Sequence, residues 1–252
     1  YEEAAAQGLM AGINAVRSLR GESPIIIDRS QAYIGVLIDD LVTKGTSEPY
    51  RLMTSRAEYR LLLRQDNADA RLTPLGHEIG LISDDRWHRF LEKQSAIEKE
   101  KNRLKSVRVP KDALSDRVLE EAGSTPLKYS VNLLSLMKRP ELNYDKLALL
   151  DPDRPDLAAS VRECVEVDIR YEGYIRLEQE RVDRFRKLER RLIPQDIDYK
   201  KIRGIRLEAR QKLDARRPVS IGQAGRISGV SPADIQVLLV WLEQHHRQMS
   251  AT

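Results

Sequence analysis

Apolar residues recur at helical spacing along most of the chain, and Gly, Pro and capping residues mark the breaks between runs. Ala4, Ala5, Leu9, Ile13 and Val16 predict a helix over residues 1–20, stopped by Gly21. Gly8, Ala11 and Gly12 give it a small-sided face of the kind that packs on a sheet, yet no sheet follows. Pro24 to Ile27 reads as extended. Ser30 is placed to cap a helix from Gln31 to Val42, with Ile34, Leu37, Ile38 and Leu41 on one stripe and Gly45 at its end. Ser55-x-x-Glu58 has the spacing of a capping box and predicts a helix from Arg56. The alternation Tyr59, Leu61, Leu63 leaves a strand open there instead.

Further along, Asp66-Asn67 turns the chain, and Thr73-Pro74 predicts the start of a short helix closed by Gly80. Asp84 or Asp85 caps a long charged helix to about Ser106, with a thin stripe of Trp87, Phe90, Leu91, Ile97 and Leu104. Pro110, Pro126 and Pro140 punctuate three short helices between residues 111 and 150. One long helix is expected from Asp156 to about Leu192, with Gly173 as its weak point, flanked by Tyr171 and Tyr174. In the tail, a short helix from Ile221 ends at Gly229, and a second is capped by Ser231 and Asp234 with Pro232 in its first position. Ile235, Leu238, Leu239 and Leu242 form one stripe of that last helix, with Val237, Val240 and Trp241 on the other side. The fold class is therefore mainly α.

Charge changes this picture by its distribution, since the formal net value is only +4. Arg51, Arg56, Arg60, Arg64 and Arg71 lie among apolar residues in one short stretch. Arg56, Arg60 and Arg64 are four apart, so on a helix or on a strand they share a face. A row of guanidiniums suits phosphates, because each is planar, forked and always charged. The competing reading is a solvated face paired with Glu58, Asp66 and Asp69. Asp39 and Asp40 are expected to bridge to this row rather than to act as acid and base. Residues 141–168 carry eight acids against three bases, whereas residues 184–217 carry thirteen bases against five acids. Lys200, Lys201 and Arg203 in the basic block are candidates for contact with a polyanion, against internal pairing with the acidic block. Tyr171 and Tyr174 share a face and suit either base stacking or, by preference, core packing.

Several chemistries are excluded by residue type. A single cysteine, Cys164, forbids an internal disulfide and reads as core packing, in keeping with a reducing compartment. No apolar run approaches a membrane span. His77 and His88 have no second ligand at metal spacing, and no glycine-rich phosphate loop or Ser/His/Asp set is present, so no catalytic or metal-binding residue is assigned. The tail resembles a helix-turn-helix in outline, but its second helix would place Leu and Val in a DNA groove. Val237, Val240 and Trp241 read better as a protein-binding surface. The opening YEEAAAQG, with no Met and no lead-in, predicts a fragment of a longer protein.

YEEAAAQG, GVLIDDLVTKGTSEPYRLMTSRAEYRLLLRQDNADARLT, YEGYI, IDY and SIGQAGRISGVSPADI together resemble the C-terminal part of the GidA/MnmG family, flavin-dependent enzymes that modify tRNA uridine. The resemblance runs the length of the chain. It implies a cytoplasmic full-length protein, a homodimer, that binds FAD through an upstream domain and uses NADH. With a GTPase of the MnmE family and a methylene-folate, it would attach a carboxymethylaminomethyl-type group to carbon 5 of the wobble uridine. On this chain it implies Tyr1, Glu2 and Glu3 near the flavin, with Arg51, Arg56, Arg60 and Arg64 at tRNA phosphates. The implied organisation is a terminal helix of the flavin domain at 1–22, an α/β-like remnant. A tRNA-facing segment follows at 23–82, then a long-helix connector at 83–192 and a partner-docking subdomain at 193–252. The alternatives are a non-catalytic helical adaptor and a helix-turn-helix nucleic-acid binder.

Overall fold

A computed structural model describes residues 1–45 and 49–249. Thr46, Ser47 and Glu48, which open the arginine-rich stretch, lie outside the described residues. The chain forms two compact units, one of residues 1–60 with 178–252 and the other of residues 61–177. The helices are α1 (Glu2–Leu19), α2 (Tyr33–Thr43), α3 (Ala68–Glu78), α4 (Asp84–Ser106), α5 (Ala113–Glu121), α6 (Leu133–Met137), α7 (Ala159–Glu189), α8 (Leu207–Arg216), α9 (Ile221–Arg226) and α10 (Pro232–Met249). The mainly-α expectation holds. Among the described residues no helix is long and apolar enough to cross a membrane.

In the unit of residues 61–177, Ile97 and Leu104 of α4, Leu133, Leu136 and Met137 of α6, and Val165 and Ile169 of α7 share one core. Cys164 belongs to it, as expected; burial pushes its thiol pKa up, and Sγ lies 3.5 Å from the Asp66 carbonyl. A two-residue antiparallel ladder, β1 (Arg108–Val109) with β2 (Val131–Asn132), is too short to leave a period-2 signal in sequence. Asp112 and Ser115 cap α5 reciprocally, and Asn132 accepts from the Ser135 amide to start α6. Buried Glu100 accepts from the Tyr144 hydroxyl at 2.9 Å and from Arg103, which also reaches Asp151. Burial and Glu100 together push the Tyr144 phenol up to about 12.

Two local expectations fail in this unit. Helix α3 begins at Ala68, so Pro74 sits inside it rather than at its start. Ties from Arg71 to Asn67 and from Lys93 to Asp69 hold the first turn ahead of the proline. Tyr171 and Tyr174 are 40% and 63% exposed, so they are not core residues. The apolar stripe of α7 that faces the core ends at Ile169.

In the other unit, Ile193, Ile197, Tyr199, Ile202, Ala209, Leu213, Ile221, Ala224, Leu238 and Leu242 form the core of the small bundle α8–α10. The Ser231/Asp234 cap of α10 forms as predicted. Asp234 is held well below the usual carboxylate range by Arg206, which donates to it at 2.7 Å. Helix α8 ends at Arg217, whose φ of 45° is left-handed, with its guanidinium 5.6 Å from the Tyr199 ring centre. At the other end of the chain, Asn14 of α1 exchanges two hydrogen bonds with the Ile25 backbone, at 2.7 and 3.0 Å, and pins the extended segment. Helix α2 starts at Tyr33 without a side-chain cap. Ser30, expected to cap it, is buried and donates its hydroxyl to Asp28 instead.

Candidate nucleic-acid interface

The arginine-rich stretch forms neither the predicted helix nor a strand. A single 3-10 turn, Thr54–Arg56, is followed by irregular chain to Asn67. The capping box fails because Glu58 has a stronger partner. Its carboxylate receives Nε and Nη2 of Arg29 at 3.1 and 2.8 Å. Arg29 is 2% exposed and also donates to Asp40 at 2.7 Å, to Asp39 at 3.0 Å, and to the carbonyls of Val36 and Arg56. Guanidinium geometry makes this possible, since five donors in a fixed fork can serve three carboxylates and two carbonyls.

Asp39 and Asp40 do make ion pairs, but chiefly with residues outside the arginine row. Asp39 also pairs with Arg226, at 2.6 Å, and Arg226 bridges on to Glu189. Asp40 receives Lys44 at 2.7 Å and the Tyr50 hydroxyl at 2.8 Å, with Arg56 only at 4.0 Å. Burial would raise the Asp40 pKa; Lys44, Tyr50 and Arg29 outweigh it and hold the group below its ordinary value. Sequence reading missed Arg29 and Arg226, because nothing local distinguishes a buried hub arginine from a surface one.

With no regular element beneath it, the row has no periodic face to share, and its members differ in their surroundings. Arg56 lies over the Tyr50 ring, 4.5 Å from its centre, and donates to the Arg51 carbonyl. It is still 42% exposed. Arg51 is exposed, and its charge helps lower the pKa of Glu3 after the Leu52 amide, which Glu3 accepts at 3.1 Å. Arg60 is exposed and, among the described residues, has no hydrogen-bonding or ionic partner for its guanidinium. Arg64 is different: it is 16% exposed and paired with Asp66 at 2.9 Å and Asp168 at 3.5 Å. Arg71 donates to Asn67 and to the Arg64 carbonyl. The predicted pairing with Asp66 thus occurs at Arg64, whereas Glu58 is taken by Arg29 and Asp69 by Lys93. Three arginines, Arg51, Arg56 and Arg60, keep guanidiniums open to a ligand.

Lys200, Lys201 and Arg203 are exposed at and beyond the 3-10 turn Tyr199–Lys201. Lys201 approaches Asp198 at 3.6 Å; Lys200 and Arg203 have no ion pair among the described residues. Other bases of that block pair within the chain but outside the acidic block of residues 141–168, as Arg186 with Asp28, Arg191 with Glu243 and Lys212 with Glu208. Val240 is 52% exposed, but Val237 and Trp241 pack partly buried against the bundle core. Leu238 and Leu242 are buried, so α10 does not offer its main stripe to a DNA groove. Tyr1 and Glu2 are exposed at the start of α1. Among the described residues no group of His, Cys, Asp and Glu is placed to hold a metal ion.

Residues 84–179 match the family model of the tRNA modifying enzyme MnmG/GidA C-terminal helical domain. Residues 181–252 match the model of the tRNA modifying enzyme MnmG/GidA C-terminal helical bundle. The chain is 59% identical over 244 residues to the tRNA uridine 5-carboxymethylaminomethyl modification enzyme MnmG of Caldicellulosiruptor saccharolyticus. It is likewise 59% identical, over 249 residues, to the enzyme of that name from Alkaliphilus oremlandii. It covers 39% of each relative's length, while 97% and 98% of the chain is matched. Aquifex aeolicus GidA in its form II crystal superposes with a TM-score of 0.80 at 43% identity, covering 96% of this chain and 38% of that one.

Proposed function

The chain belongs to the MnmG/GidA family, and from that premise we propose that it forms the tRNA- and partner-binding region of a wobble-uridine-modifying flavoenzyme. In this reading the whole protein, with a GTPase of the MnmE family, adds a carboxymethylaminomethyl-type group to carbon 5 of the uridine. FAD, NADH and a methylene-folate supply the chemistry, and the setting is the cytoplasm, with the enzyme a homodimer. The observation that carries the reading is the 59% identity, sustained over nearly the whole chain, to enzymes of that printed name. Within the chain, the exposed guanidiniums of Arg51, Arg56 and Arg60 support contact with tRNA phosphates, with Lys200, Lys201 and Arg203 as a second group. Val240 is the open member of the partner-binding set Val237, Val240 and Trp241.

The residues present do not build a flavin cradle by themselves. The sheet among the described residues is one two-residue pair, and no glycine-rich turn follows either strand. Glu2 and Glu3 place carboxylates, rather than bare amides, at the start of α1, and Glu3 is engaged by the Leu52 amide. Tyr1, Glu2 and Glu3 are therefore assigned only to the rim that would face a flavin bound elsewhere. No step of the reaction is drawn through them. The test is tRNA binding by the intact protein across a salt series. A steep loss of affinity with salt is expected, and salt-independent or absent binding would overturn the reading.

A further inference from the structure

A cleft of about 290 Å³ opens between α3 and α4. Asp69 and Thr73 line it from α3; Arg86, Arg89, Phe90 and Lys93 line it from α4. The three bases are spaced three and four apart and so share one stripe of α4. Lys93 donates to Asp69 at 2.7 Å and cancels the acid in the wall. Arg86 has no ion pair among the described residues, and Arg89 makes only a 3.3 Å hydrogen bond to the Asp85 carbonyl. The cleft therefore presents two open guanidiniums, with a hydroxyl-bearing side chain on its other wall. Behind them the aromatic rings are fixed: His77 stacks on Trp87 at 4.6 Å, and Trp87 on Phe90 at 5.4 Å. His77 also contacts Asp84 at 3.2 Å, which occupies an acid at the start of α4.

We infer that this cleft holds a phosphate group of bound RNA, with Arg86 and Arg89 as forked donors and Phe90 as the apolar wall beside the adjoining sugar or base. Two guanidinium-bearing side chains lining one small, partly aromatic cleft match a phosphodiester better than an isolated carboxylate. The assignment rests on the tRNA-binding reading and adds a site outside the arginine-rich stretch. Its signature in sequence is the run Arg86-Trp87-His88-Arg89-Phe90, which the helical stripe of Trp87 and Phe90 conceals as ordinary amphipathy.

The test uses the intact protein carrying Arg86→Gln and Arg89→Gln together; both side chains are exposed on a helix surface. tRNA binding is followed by fluorescence anisotropy between about 50 and 200 mM salt. The expected result is an affinity loss of roughly tenfold, with a salt slope shallower by about 0.7–0.9 for one lost phosphate contact. Arg117→Gln with Lys111→Gln, both exposed, removes the same two charges elsewhere and leaves affinity and slope unchanged. An unchanged slope in the double variant overturns the inference, as does displacement of the tRNA effect by an acidic peptide. Wild-type protein that binds no tRNA defeats the proposed function instead. Inorganic phosphate alone then decides the site: a melting-temperature rise in wild type but not in the variant keeps it as a site for a free phosphate, and no rise removes it.

Discussion

Arg29 and Glu58 form a two-point bridge, with Nη2 to Oε1 at 2.8 Å and Nε to Oε2 at 3.1 Å, across 29 residues of chain. The bridge ties the segment before α2 to the irregular stretch that carries Arg56 and Arg60. Because Arg29 is buried and also serves Asp39 and Asp40, its loss strands several acids at once. Arg29→Met is expected to destabilise the protein by ~3–5 kcal/mol, the range for breaking a buried ion pair from one side. A thermal melt should fall by roughly 10 °C.

The same cluster sets an acid limit. The folded Asp40 carboxyl titrates below its ordinary value of 3.8, so its stabilising contribution is complete above that pH. It is lost as pH falls through the lower, folded value. In Arg29→Met one of the opposing hydrogen bonds is gone and burial weighs more, so the loss begins at higher pH. Urea midpoints taken from about pH 3 to about pH 6 should show the variant's acid limb displaced upward.

Arg60 and Arg64 separate binding from stability. Arg60→Ala removes an exposed guanidinium without a partner among the described residues, so stability should stay within ~0.5 kcal/mol. The salt slope of tRNA binding should become shallower by about 0.7–0.9. Arg64→Ala leaves Asp66 and Asp168 without that pairing and should lower stability by about 1–2 kcal/mol. Denaturant melts and salt-series binding on the two variants check the split.

Gly173 and Gly35 are both helical but differ in what surrounds them. A Cβ on Gly173 would meet nothing within 4 Å, so Gly173→Ala should raise stability by roughly 0.5–1 kcal/mol. A Cβ on Gly35 would overlap the carbonyl oxygens of Ile27 and Asp28, which cannot swing aside as a side-chain tip can. Gly35→Ala should therefore destabilise, with a lower melting temperature than wild type.

Val240 gives a cleaner probe of partner docking than Trp241. Trp241 packs on the bundle core, so its truncation alters stability as well as surface. Val240→Asp changes an exposed side chain alone and, if the proposed docking surface is right, should weaken assembly with the proposed GTPase partner on a sizing column at unchanged melting temperature.

The helices were legible where periodicity is local. α1, α4, α7 and α10 lie within a few residues of their predicted bounds, because amphipathic spacing and the Ser231/Asp234 cap act within one or two turns. The arginine row was legible in composition but not in arrangement. A shared face requires a regular element, and Arg29 draws Glu58 out of the capping box that would have begun one. Residue type favours core packing for Tyr171 and Tyr174, yet solvent reaches them because the part of α7 packed on the core of residues 61–177 ends at Ile169. The Arg29 and Arg226 hubs also depend on acids 29, 37 and 187 residues away, which no local window contains.

Cys164, 8% exposed with a thiol that burial makes reluctant to ionise, is the chain's sole cysteine. Maleimide chemistry on this chain therefore starts from a nearly silent background. A cysteine substituted at Arg60 or Tyr174 would accept a fluorophore at a chosen surface point, with no need to engineer away competing thiols first.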